Sequence, residues 1–204
     1  MAREKTIKVY KFSELSDKAK ARVKYDHQVH GDDIDTDAYL ASIKALAAHF
    51  GAKVKDYEID WSGGAAPSLM SFEVPERESV VDVPDDVDGN DEAAYDAALD
   101  KAWEAWLKGK LDELGQYNPE TLKGVGECKL TGYGYDDDAI DGFRKAFHEG
   151  ERDLESLLDA AFDSWIESAH DEYKGFYEDD NYAEYADGND REYYADGSPA
   201  NDND

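Results

Sequence analysis

Residues 36–61 read TDAYLASIKALAAHFGAKVKDYEIDW, and this stretch decides the fold class. Tyr39, Leu40, Ile43, Leu46, Ala47 and Phe50 recur at helical spacing, and Gly51 follows as a stop. The period then changes. From Val54 to Trp61 the chain alternates, with Tyr57, Ile59 and Trp61 on one face, as on a half-buried strand. A helix followed at once by a strand points to a mixed domain in which helices cover a sheet.

Working outward, Ser62–Pro67 (SGGAAP) reads as a loop, and Leu69–Val74 as a second strand pairing back as a hairpin. Lys8–Phe12 (KVYKF) alternates and reads as a short strand. Glu127–Thr131 reads as another strand of the same sheet. Ser13 or Ser16 caps a helix running to about Val29, with Leu15, Ala19 and Val23 as its apolar row. Asp91 or Asn90 caps a long helix over Glu92–Leu114. A further helix, carrying Ile140, Phe143 and Phe147, starts after three aspartates and stops at Gly150. Asp153 opens the last clear helix, on which Leu154, Leu157, Leu158, Ala161, Phe162, Trp165, Ile166, Ala169 and Tyr173 keep a 3–4 spacing. The expected architecture is α+β: a small, mostly antiparallel sheet of three or four strands, one face covered by about five helices. Residues 1–175 are expected to form a single domain. Residues 176–204 read as an acidic, Tyr-rich tail, partly packed or disordered, with 197–204 mobile.

Composition narrows the function. Fifty acidic residues face 22 basic ones, so the formal charge of the 204-residue chain is −28. Residues 1–55 are slightly basic and the acidity grows toward the C-terminal end. Such a charge repels the phosphates of nucleic acid and favours a basic partner, or serves solubility alone. No run of about 18 apolar residues offers a membrane span. The opening MAREKTIKVYKF lacks the apolar core of a secretory leader. Cys128 is the only cysteine, which excludes an internal disulfide and makes a cytoplasmic setting the natural expectation.

Motifs for chemistry are poorly represented. Placing Gly89, Gly142 or Gly188 at position 6 of an EF-hand loop leaves the other ligand positions wrong. His27 and His30, with Asp26 nearby, fall short of the four ligands of a structural zinc site. Cys128 has no histidine placed beside it by sequence. Gly124-x-Gly126 and Gly132-x-Gly134 lack the third glycine of a dinucleotide loop. The expectation is a non-enzyme with no catalytic residue, no cofactor and no metal.

The acidity itself is then the candidate feature. Duplex DNA carries roughly one charge per 100 Å² of its cylinder, given one per 1.7 Å of axis. A folded chain of this mass exposes on the order of 9,600 Å², so its net charge averages about one per 340 Å². Mimicry of DNA therefore requires carboxylates gathered on one face. Asp159, Asp163, Glu167 and Asp171 are spaced by four along the last helix and form such a row. Nothing basic at neighbouring positions relieves them. Asp136, Asp137 and Asp138 lie at the preceding helix start, and Glu178, Asp179 and Asp180 beyond the last helix. These ten residues are the expected partner-binding set.

Three stretches carry a resemblance. Val9–Arg22 (VYKFSELSDKAKAR), Tyr57–Gly64 (YEIDWSGG) and Leu157–Trp165 (LLDAAFDSW), the last followed by acid- and Tyr-rich sequence, together resemble a family of small acidic accessory proteins of tailed bacteriophages and prophages. Some members carry an antitoxin-like label. The resemblance implies a phage-type protein in a bacterial cytoplasm. There it would block a basic, nucleic-acid-binding host defence protein, such as a CRISPR-type complex or a nuclease, or else neutralise a small basic toxin. Its oligomeric state is left open.

Overall fold

A computed structural model describes residues 8–30, 36–60, 68–84, 87, 91–115, 130–131 and 135–200. Among them the chain is mixed α and β, with seven helices and one two-stranded antiparallel sheet. It divides into two compact units. One holds Met1–Asp35, Trp61–Gly63 and His170–Asp204; the other holds Thr36–Asp60 and Gly64–Ala169. No helix of the described residues is long and apolar enough to cross a membrane.

In the second unit α2 (Thr36–His49) runs into β1 (Lys53–Glu58), which pairs with β2 (Leu69–Glu73). The register sets Val54 against Phe72 and Tyr57 against Met70, with a bulge between Val54 and Asp56. The extra residue lets Val54 and Tyr57, three apart, share one face. Leu40, Ile43, Leu46 and Phe50 of the helix stripe are buried. Phe50 stacks on Phe143 of α5 (Tyr135–Glu149) with ring centroids 4.3 Å apart. It also meets Trp106 of α4 (Glu92–Glu113) edge-on. Asp91 caps α4 by accepting from the Ala94 amide. Arg77 of the one-turn α3 (Arg77–Val80) pairs with Asp100 at 2.8 Å and lies over the Trp103 ring. α6 (Leu154–Phe176) starts where Asp153 accepts from the Ser156 amide, and it buries Leu157, Phe162 and Trp165. Each such side chain contributes roughly 1.5–3 kcal/mol of apolar transfer.

The first unit is built on α1 (Asp17–His30), where Ser16 rather than Ser13 is the cap, accepting from the Ala19 amide. Its row Leu15, Ala19 and Val23 is buried together with Phe12, Tyr182, Ala186 and Tyr193. Tyr182 and Ala186 come from α7 (Asp179–Gly188). Gly197 has φ +87°, and a Cβ there would lie 2.7 Å from the Ala19 carbonyl oxygen, so only glycine lets this segment close on α1. His27 is buried, its ring nitrogens 2.7 Å and 3.2 Å from the hydroxyls of Tyr177 and Tyr185.

Two expectations are corrected here, and a third, the strand count, falls partly outside the described residues. Lys8–Phe12 is no sheet strand: Tyr10 exchanges two backbone hydrogen bonds with Tyr193, and a 3₁₀ turn over Phe12–Glu14 follows at once. The Phe12 ring at the start of that turn is fully buried in the core. The mobility expected of residues 197–204 fails over Gly197–Ala200, because Gly197 is pinned on α1 and the Ala200 amide bonds to Glu192 O. The described sheet has two strands rather than three or four. The expected strand over 127–131 falls outside the described residues except for Leu130 and Thr131, which form a bend.

Candidate functional site

The carboxylates expected to act together are placed by an αα-hairpin within the second unit. α5 and α6 are joined by only four residues, Gly150–Asp153. Arg152 holds the joint: its guanidinium donates to the carbonyl oxygens of Phe147 and Glu151, pairs with Glu104 at 2.7 Å and covers the Phe147 ring. The Trp103 indole N–H donates to Arg152 O. The backbones of the two helices touch at Gly142. A Cβ there would lie 2.5 Å from Ala160 O and 2.6 Å from Ser164 Cβ. Glycine costs about 1 kcal/mol against alanine inside a helix; this close approach is its structural return.

Where the helices meet they leave a groove of about 370 Å³. Asp141, Lys145 and Glu149 line it from α5, and Asp163, Ser164 and Glu167 from α6, with Gly142, Ala146 and Ala160 between them. The acids crowd one another. Asp159 is exposed as a residue, but partial desolvation of its carboxyl raises the pKa, and the negative charges of Glu155, Asp163 and Asp153 raise it further. Burial likewise raises Asp141, with Arg144 opposing and Asp137 and Asp138 adding to the rise. Asp138 is raised by burial, against a hydrogen bond from Ser168. Carboxylates only accept hydrogen bonds, so the groove is suited to cationic donors, ammonium or guanidinium groups above all.

The structure separates the ten expected residues into classes. Asp159, Asp163 and Glu167 are exposed on one face of α6, as their spacing requires. Asp137 and Asp138 are half-buried at the start of α5, where the helix dipole favours negative charge. Asp136 is fully buried and accepts from the Thr131 amide at 2.9 Å and hydroxyl at 2.7 Å, so its carboxylate anchors the chain at the start of α5. Asp171 lies further along α6, in the stretch counted with the first unit, as do Glu178, Asp179 and Asp180. Asp179 is engaged within that unit, 3.3 Å from Lys20 and 2.6 Å from Lys24, which hold its carboxyl below the ordinary range.

Asp141 and Glu149 belong to the acid clusters that the sequence places around two helix starts, but neither they nor Lys145 stood in the expected partner-binding set. Their spacing by four and the glycine inside an otherwise regular helical pattern were the available signals. The expectation that nothing basic stands near the α6 acids is corrected twice: Lys174 lies three residues beyond Asp171 on α6, and Lys145 lines the groove from the neighbouring helix. Of the metal and thiol candidates, His27 is enclosed by aromatic rings, while Cys128 and the His30 side chain lie outside what is described. Among the described residues no three His, Cys, Asp or Glu side chains are grouped to hold a metal ion. No protein-family model, no curated protein and no solved structure matches the chain.

Proposed function

We propose that this chain is a non-enzymatic interaction protein of phage or prophage type, acting in the bacterial cytoplasm. Its acidic α5–α6 hairpin occupies the basic, nucleic-acid-binding surface of a host defence protein. The observation that carries this reading is the contact at Gly142. It sets Asp141 and Glu149 of α5 and Asp163 and Glu167 of α6 beside one groove, and burial first, with acids of the same helix adding to it, raises the carboxyls of Asp141 and Asp159. Like charges four apart on a helix destabilise it by a few tenths of a kcal/mol per pair. A fold under no demand for a charged face has an easy escape through Lys or Gln substitutions. The gathering also answers the dilution of the average surface charge, because it concentrates carboxylates locally.

The test is retention of bacterial proteins on the immobilised chain at low and high salt, in parallel with the variant carrying Asp159→Asn, Asp163→Asn, Glu167→Gln and Asp171→Asn. The expected result is a basic nucleic-acid-binding protein that is released by salt, displaced by duplex DNA and not retained by the variant. Charged contacts are screened over about 8 Å at physiological ionic strength, so the salt effect is steep. A partner held equally by the variant overturns the site. A small basic toxin encoded beside this chain, in place of a defence protein, replaces the proposed role with neutralisation of that toxin.

A further inference from the structure

We draw no further inference here: the strongest candidate, the acidic groove between α5 and α6 lined by Asp141, Glu149, Asp163 and Glu167, belongs to the site already described, and beyond its cluster of carboxylates nothing in the structure shows what covers it.

Discussion

In the unit built on α1 and α7, Asp179 sits between Lys20 and Lys24, which hold its carboxyl below its ordinary value, and Asp196 is held below by the hydroxyl and amide of Ser198 first, with Arg22 at 3.1 Å adding to it. In the α5–α6 hairpin, Asp138, Asp141 and Asp159 are all pushed above it, by burial first and by neighbouring acids in addition. The same residue type thus does opposite work in two parts of one chain. Where bases face it, the carboxylate holds elements of the fold together. Where burial and neighbouring acids outweigh any base, as for Asp141 beside Arg144, the carboxylate is a load on the fold. Net charge alone hides this difference; the partners of each acid reveal it.

The largest way to sharpen the comparison is to remove the aromatic centre of the first unit. Tyr182→Ala deletes a buried ring packed 4.7 Å from Phe12, and the expected loss is about 3–5 kcal/mol. Amide hydrogen exchange should show protection falling in α1 and α7 and persisting in α5. Next comes the helix contact. Gly142→Ala improves intrinsic helix propensity by about 1 kcal/mol but drives a methyl group into Ala160 O. Chemical denaturation should show a net loss of about 1–3 kcal/mol; a stabilised variant would deny the close approach.

Acid titration gives a smaller effect of opposite sign in the two regions. In the hairpin the folded carboxyls bind protons more tightly than the unfolded chain. Their penalty is full above the raised folded values and is relieved as pH falls toward the ordinary carboxylate value. For Asp179 and Asp196 the stabilisation is present above the ordinary value and is lost as pH falls through their depressed folded values. Carboxyl chemical shifts followed by NMR across this window should move first, from neutral pH downward, for Asp138, Asp141 and Asp159, and last for Asp179 and Asp196. Smallest of all is Lys24→Ala. It removes one of the two half-buried lysines that pair with Asp179 and should cost about 1 kcal/mol, with the Asp179 carboxyl moving back up.

The elements legible in the sequence were those whose periodicity extends over several turns. The stripe on α6, the caps Asp91 and Asp153 and the hairpin of β1 and β2 all lie where pattern and turn chemistry place them. Lys8–Phe12 misled because alternation over five residues does not distinguish a sheet strand from a single bridge leading into a turn. What it pairs with, Tyr193, lies far along the chain in a stretch whose composition reads as a tail. The acidic row on α6 was legible from spacing within one helix. Its pairing with Asp141 and Glu149 was not, because it depends on how two helices approach. Burial of Asp136 was hidden for the same reason: an aspartate in the first turn of a helix reads alike whether it faces water or a Thr131 hydroxyl.

The bridge between Tyr10 and Tyr193, with Lys20 and Lys24 bound to a residue more than 150 positions later, bears on biosynthesis. At roughly 5–20 residues per second, α1 waits on the order of ten to thirty seconds before α7 is made. During that interval Leu15, Ala19 and Val23 lack the ring of Tyr182 that later covers them. The α5–α6 hairpin needs only a short, local closure and has no such delay. α1 is therefore completed only after α7 emerges, and its apolar row stays open to a chaperone or a protease for that interval.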